Sequence, residues 1–253
     1  MATVTVRGLE IGAGIPKICV PIVGSNREEI LDQAKALRAL PVDLVEWRVD
    51  YLNDVSSLSL LTVLTFLSEL RNELGDLPLL FTFRTKREGG AKDISPQGYL
   101  ELNRTIAASG LIDLLDVELF LGDELFAKLV GHAHEKGVKV VGSNHDFQKT
   151  PPKEELLERL QKMQALGADI LKVAVMPKDT CDVLTLLSAT EEASATLERP
   201  VVTMSMGGKG ILSRVAGEAF GSAMTFGSAG KASAPGQLDV TTLRAILDAL
   251  HEE

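Results

Sequence analysis

Lys172 stands in Asp169-Ile-Leu-Lys172-Val-Ala-Val175, a run that is otherwise apolar after its first residue. Lysine is rarely fully buried unless it is paired. An amine held in such a run has its pKa lowered by desolvation and nearby cations, and its freed lone pair can attack a carbonyl to form a Schiff base. Two other placements stay open from the sequence: an ion pair with Asp116 or Glu118 across an interior, and a register pointing Lys172 between helices. His145, in Ser143-Asn-His145-Asp-Phe147, follows the preceding apolar run. A lone histidine is more often structural than catalytic, yet its ordinary pKa suits proton transfer. The loop Lys86-Arg-Glu88-Gly-Gly90 offers a carboxylate, Glu88, to orient it.

Other polar residues gather near the ends of apolar runs. Glu46 and Arg48 are two apart and project the same way from a strand, and Arg84 ends the next run. Arg214, shortly after the seventh run, is either an anion clamp or a surface helix arginine. Gly207-Gly-Lys-Gly210 and Gly227-Ser-Ala-Gly-Lys231 look phosphate-like but fit no P-loop pattern, so the first is expected as a turn and the second as a mobile lid continuing through Ala232–Gln237. His132 and His134 read as solvated residues of a helix, with no metal-ligand set beside them.

The elements that must position these residues alternate along the chain. Ile18–Val23, Leu44–Val49, Leu79–Arg84, Leu114–Leu119, Val138–Ser143, Ile170–Val175, Val201–Met206 and Ala223–Phe226 read as buried strands. Amphipathic stretches lie between them, with Ile30, Leu31, Ala34 and Leu37 on one face and Leu156, Leu157, Leu160 and Met163 on another. Ser25 with Glu28 forms a capping-box pattern, and Ser95-Pro96 and Thr150-Pro151 place a cap before a first-turn proline. Eight strand-then-helix units, the last helix spanning Val240–His251, predict an α/β fold of the (β/α)₈ TIM-barrel type in one domain over residues 1–253. Residues 1–16 are extra, and Thr3–Arg7 with Gly8 predicts a short N-terminal β-hairpin capping one end.

Composition is that of an ordinary globular protein, 253 residues with 45% apolar and 24% charged, and argues against a disordered, collagen-like or disulfide-scaffold chain. The net charge of −9 disfavours nucleic acid or an anionic membrane as partner, while leaving room for a local cationic pocket. No apolar run reaches the length of a transmembrane helix, and no secretory signal is visible. Cys19 and Cys181 sit in apolar stretches and are expected as buried free thiols of a cytoplasmic protein.

Several blocks together resemble the type I 3-dehydroquinate dehydratases. They are Glu46-Trp-Arg48-Val-Asp50, Leu80-Phe-Thr-Phe-Arg84, Ser143-Asn-His145-Asp-Phe147, Lys172-Val-Ala-Val-Met-Pro177, Met204-Ser-Met206, Ser213-Arg214-Val-Ala-Gly217 and Ala232-Ser233-Ala-Pro-Gly-Gln237. They occur in family order from Lys17 to the last helix. The resemblance implies a hydro-lyase that dehydrates 3-dehydroquinate to 3-dehydroshikimate in the shikimate pathway, as a cytoplasmic homodimer without metal or organic cofactor. It implies that Lys172 forms an imine with the substrate ketone, that His145 is the general acid and base, and that Glu88 orients or tunes it. By the same likeness Arg214 takes the substrate carboxylate and Glu46, Arg48 and Arg84 contact ring hydroxyls. Ser233 and Gln237 close over the substrate, and Met204, Met206 and Phe226 wall the pocket.

The chain departs from that pattern at two places. Pro21 stands where a serine able to touch substrate is frequent, and the turn after Met206 is Gly207-Gly-Lys209, where small polar residues are common. Lys209 either adds charge to the pocket or faces solvent. A barrel aldolase would share the lysine but cleave a carbon–carbon bond. A binding protein for hydroxy acids would be expected to lack Lys172 or His145.

Overall fold

The computed structural model describes residues 2–53, 59–230 and 232–251. Two short strands, β1 (Val4–Val6) and β2 (Leu9–Ile11), pair antiparallel into the expected hairpin. Eight parallel strands follow: β3 (Lys17–Ile22), β4 (Leu44–Arg48), β5 (Leu79–Thr82), β6 (Leu114–Glu118), β7 (Lys139–Asp146), β8 (Ile170–Val175), β9 (Val201–Ser205) and β10 (Met224–Phe226). Their order, β10-β3-β4-β5-β6-β7-β8-β9, is that of a (β/α)₈ barrel. The helices between them are α1 (Arg27–Leu37), α2 (Leu60–Leu74), α3 (Pro96–Ala107), α4 (Asp123–Glu135), α5 (Lys153–Ala165) and α6 (Thr180–Thr196). After β9 come the short α7 (Ile211–Val215) and α8 (Gly217–Phe220), and α9 (Val240–Leu250) ends the described chain. Among the described residues no helix is long and apolar enough to cross a membrane.

Closure is thinnest between β9 and β10. A single bridge pairs Val201 with Ser222, and the Ala223 N–H donates to the Val201 carbonyl at 2.8 Å. The hydroxyl of Ser222 accepts the Thr203 N–H at 3.2 Å, so a side chain replaces part of the ladder.

A layer of apolar side chains fills the lower barrel. Cys19, Leu44, Leu80, Leu114, Val141, Ile170, Val202 and Met224 point inward there and pack against Val4, Val6 and Ile11 of the hairpin. The hairpin therefore plugs the amino-terminal end of the strands, and any site must open at the other end. The larger core lies between sheet and helices, where Trp47 meets Phe81 edge to face at 5.6 Å.

Three aspartates brace this lower end in the same way. Asp43, Asp113 and Asp169 each immediately precede a strand. Each donates its own N–H to a carbonyl of the previous strand (Ile18, Leu79, Val140) and accepts that same residue's N–H on its carboxylate, at 2.7–2.8 Å. Three residues beyond each aspartate stands an inward charged residue, Glu46, Asp116 or Lys172. One spacing therefore sets both the floor and the lowest polar layer.

Several boundaries differ from expectation. The fifth barrel strand does not end at Ser143: β7 runs to Asp146, paired with Val175, so His145 lies inside the strand. Its polar sequence hid the continuation. The third barrel strand stops at Thr82, because the Arg84 N–H turns to the Asp50 carboxylate at 3.3 Å and the Thr85 N–H to Glu118 at 2.8 Å. The cap of α1 is Asn26 rather than Ser25, whose N–H and hydroxyl bind Glu29 instead of Glu28. Ser95 caps α3 as expected, but Thr150 caps nothing, since α5 begins at Lys153 behind Pro152. Cys19 is buried, whereas Cys181 is exposed: it sits in the first turn of α6, whose buried face is Val183, Leu186 and Leu187.

Candidate active site

Above the apolar floor the inward side chains turn polar. β4 supplies Glu46 and Arg48, β6 supplies Asp116 and Glu118, β7 supplies Ser143 and His145, and β8 supplies Lys172. The strands end here, and the twelve residues singled out from sequence all line one pocket at this end. Gly89, Phe147, Ala174 and Ala234 complete its wall. Gly89 has φ +84°, and a Cβ there would lie 2.2 Å from the Phe147 ring, so glycine allows that ring to close the side of the pocket.

Lys172 is 4% exposed and points into the barrel. Among the described residues no carboxylate lies within ion-pair distance of its amine. Nζ instead sits 4.2 Å from the centroid of the Phe226 ring. Burial lowers its pKa, helped by Arg84 and opposed by Glu46 and Asp116. The ion pair with Asp116 or Glu118 left open by the sequence does not form, because those carboxylates are engaged elsewhere.

Their partner is Arg84. Its Nη2 donates to Asp116 at 2.7 Å, and its Nη1 to Glu118 at 2.9 Å and to the Ser143 hydroxyl at 3.0 Å. Burial disfavours the guanidinium charge, but the two carboxylates outweigh it and drive its pKa up. Arg48 is similarly held by Asp50, Nε and Nη2 each donating at 2.8 Å. Asp50 is fully buried and also accepts the N–H groups of Arg84 and Ala91, tying the loops after β4 and β5 together. Sequence reasoning assigned Asp50 no task. The sequence signal is its offset of two from Arg48, the same offset that puts Glu46 and Arg48 on one face.

His145 pairs with Glu88. Oε2 of Glu88 lies 3.0 Å from His145 Nδ1 and accepts the His145 backbone N–H at 2.8 Å. With Nδ1 engaged, Nε2 is left for the pocket. Burial pushes Glu88 up to about 8, with Glu118 and Asp116 adding to it while Arg84 and the Asn144 amide oppose it. Burial and the cations Arg84, Lys172 and Arg48 hold His145 well below its ordinary value. The imidazole is therefore neutral at working pH and able to accept a proton.

Arg214 is 1% exposed in α7 and is not the surface arginine that the sequence left open. Its Nη2 donates to the Pro235 carbonyl at 3.0 Å, its Nη1 approaches the Met204 sulfur at 3.9 Å, and its Nε has no partner. No carboxylate of the described residues pairs with it, and burial lowers its pKa to about 10. A desolvated cation that lines a pocket without an acidic partner among the described residues calls for an anionic ligand.

The cover comes from the segment before α9. The Ser233 N–H donates to Gln237 Oε1 at 2.8 Å and Gln237 Nε2 returns a bond to the Ser233 hydroxyl at 3.1 Å. The Gly207 N–H donates to the Pro235 carbonyl at 3.0 Å, joining this segment to the turn after β9. Within the expected lid, Ser228 is bonded to Leu238 and Val240, so the first glycines form its base while Ser233, Ala234 and Gln237 face the pocket. Lys231 lies outside the described residues. Lys209 points away from the pocket and binds the Lys178 carbonyl at 2.6 Å, and Pro21 lies in β3 beside Glu46 without lining the pocket.

Among the described residues no three His, Cys, Asp or Glu side chains are grouped to hold a metal ion. The arrangement can instead perform amine and acid–base chemistry on an anion bearing a carbonyl and hydroxyls.

Comparison with known proteins points the same way. A family described as type I 3-dehydroquinase matches residues 18–253. A 3-dehydroquinate dehydratase of Listeria welshimeri is 53% identical over 253 residues, covering all of both chains. A type I 3-dehydroquinate dehydratase of Clostridium difficile, solved with covalently modified comenic acid, superimposes with a TM-score of 0.96 at 51% identity, covering 99% of each chain. A 3-dehydroquinate dehydratase of Enterococcus faecalis gives a TM-score of 0.92 at 45% identity, over 98% of this chain and 100% of that one.

Proposed function

Since the chain belongs to the type I 3-dehydroquinase family and is a 3-dehydroquinate dehydratase, a hydro-lyase of the shikimate pathway, we propose that it works through an imine on Lys172, with His145 moving the protons. The observation that carries this reading is the Lys172 amine: buried, without an ion-pair partner among the described residues, and opening on the same pocket as His145. The Clostridium difficile relative, solved with covalently modified comenic acid, is in keeping with covalent chemistry in this family.

The substrate is a β-hydroxy ketone whose α-proton is too weakly acidic for an unaided histidine. Nζ of Lys172 adds to the ketone carbon, and loss of water leaves a protonated imine. Nε2 of His145 takes the α-proton, and the C–H electrons flow into the iminium to give an enamine. The enamine then expels the β-hydroxyl, which leaves as water with the proton from His145. Hydrolysis of the conjugated imine restores the amine and releases 3-dehydroshikimate. Glu88 holds His145 through Nδ1 and aims Nε2 at the substrate. Arg214 takes the carboxylate, while Glu46, Arg48 and Arg84 meet the hydroxyls and Ser233 and Gln237 close the pocket.

Incubation with 3-dehydroquinate and borohydride, followed by intact mass and peptide mapping, tests the reading. A reduced adduct on Lys172, lost in Lys172→Ala, is expected. A folded protein that turns over substrate without any adduct overturns the imine. We also propose a homodimer in a reducing cytoplasm, in keeping with two cysteines that form no disulfide. Sedimentation at monomer mass would exclude the dimer.

A further inference from the structure

Behind the acid–base pair a chain of contacts leads out of the barrel. Asn144 follows Ser143 on β7 and so points the opposite way from the pocket, toward the helices. Its Nδ2 donates to Glu88 Oε1 at 3.2 Å, and its Oδ1 accepts from Arg159 Nη1 at 2.6 Å. Arg159 lies on α5 with its side chain only 9% exposed. It is further held by Glu155, one turn back, and by the Phe120 ring, 5.2 Å from its Cζ. Neither Asn144 nor Arg159 lines the pocket.

A guanidinium only donates hydrogen bonds, so the Asn144 oxygen must face it, which leaves the NH₂ for Glu88. We propose that Arg159 is a positioning residue for the dehydration: it fixes the Asn144 amide so that this group donates to Glu88, and thereby sets how Glu88 holds His145. This rests on the proposed reading of His145 and Glu88 as the acid–base pair.

The polarity matters because Glu88 is surrounded by opposing influences. Arg84, just beyond β5, approaches it to 3.7 Å, and His145 of β7 contacts it directly. Asp116 and Glu118 of β6 disfavour its negative charge, while Lys172 of β8 and Arg48 of β4 act on the pair through His145. Glu88 is already pushed up to about 8 by burial, and the Asn144 N–H is among the few groups that favour its carboxylate. An amide free to flip would place an oxygen against that carboxylate. Glu88 would then keep its proton to higher pH, and His145 Nδ1 would lose the acceptor that frees Nε2 as a base.

The test is the pH dependence of kcat and KM for Arg159→Met and Arg159→Lys. In Arg159→Met the rising limb of kcat moves up by on the order of one pH unit and kcat at neutral pH falls about tenfold. KM stays close to that of the unaltered protein, because the pocket is untouched. Arg159→Lys, which still only donates, recovers most of the loss. An unmoved limb in Arg159→Met, or a lysine variant as impaired as the methionine one, overturns the proposal. If Arg159→Met does not fold, Asn144→Asp asks the same question by keeping the arginine bonded while turning an oxygen on Glu88. Its limb must shift upward, and an unchanged profile overturns the proposal. His145→Ala is measured beside these. Turnover surviving there defeats the underlying acid–base reading, whereas an inactive His145→Ala with an unmoved Arg159→Met limb defeats only the role of Arg159.

Discussion

Nζ of Lys172 lies 4.2 Å from the centroid of the Phe226 ring, so an aromatic face rather than a carboxylate steadies the amine. A carboxylate partner would hold the proton on Lys172 and oppose nucleophilic attack. The carboxylates that could have served, Asp116 and Glu118, are bound to Arg84 at 2.7 and 2.9 Å. The ring favours the ammonium by about 0.5–2 kcal/mol, enough to orient it but little enough to let the proton go.

Phe226→Leu keeps an apolar wall and removes the ring's electrostatic attraction. The ammonium loses a stabilising contact, so the lysine deprotonates more readily. The midpoint of imine trapping against pH therefore moves down by on the order of half a unit. Trapping over a pH series with 3-dehydroquinate and borohydride measures it. A midpoint that rises instead would mean that water entering the enlarged pocket outweighs the ring.

Arg214 combines burial, an unpartnered Nε and no carboxylate among the described residues. The free enzyme therefore carries an uncompensated charge that binding would relieve. Arg214→Met removes the charge while keeping most of the side-chain volume. KM is expected to rise by the equivalent of about 2–5 kcal/mol, the cost of losing one side of a buried charge pair. The free protein should melt no lower than the unaltered one, because a desolvated cation has gone. Steady-state kinetics and a thermal melt check both, and an unchanged KM would remove Arg214 from the carboxylate site.

Much of this site is legible from side chains that violate their surroundings in sequence. Lys172 amid apolar residues, the Glu46/Arg48 pair and the eightfold strand pattern all point to a barrel with its chemistry at one end. What stays hidden is partnership across strands. Arg84 meets Asp116, Glu118 and Ser143 from positions at least 32 residues away in sequence, and no local period encodes that. The extension of β7 through His145 is masked because strand residues facing an active site are polar where a strand signal expects apolar ones. The repeated aspartate three residues before Glu46, Asp116 and Lys172 is visible in the sequence, but its meaning depends on hydrogen bonds to the preceding strand.

Glu88 also makes stability depend on pH. Its pKa is raised from 4.5 to about 8, so between these values the folded protein holds a proton that the unfolded chain has lost. The stability this contributes is complete below about 4.5 and disappears as pH rises through about 8. Glu88→Gln cannot titrate. Relative to that variant, the unaltered protein should lose up to about 1.4 kcal/mol for each pH unit across the window. Urea unfolding at several pH values reads the difference, and a pH-independent gap would place the Glu88 pKa near its ordinary value. Activity should fall in Glu88→Gln most at and above about pH 8, where the unaltered protein offers His145 Nδ1 a carboxylate and the variant only an amide.

The two ends of the barrel should separate under mutation. Asp113 accepts the Leu79 N–H at 2.8 Å and pairs with Arg7 at 2.6 Å and Arg71 at 3.1 Å, at the end closed by the hairpin. Asp116, three residues on, lies in the site and anchors Arg84. Asp113→Ala leaves a strand N–H and a largely buried guanidinium short of a partner, at a cost of about 2–4 kcal/mol. Its kcat/KM, measured where the protein is folded, should match that of the unaltered enzyme, because the floor of apolar side chains stands between it and the pocket. Asp116→Ala should cost about 3 kcal/mol, since it strips the buried Arg84 charge of one of the two carboxylates it binds below 3 Å. It should also depress kcat/KM, because Arg84 loses the contact that fixes its position. Denaturation and kinetics on both variants decide the matter. If Asp113→Ala lost activity in a fully folded sample, the lower ring of aspartates would be coupled to catalysis and not only to the barrel's integrity.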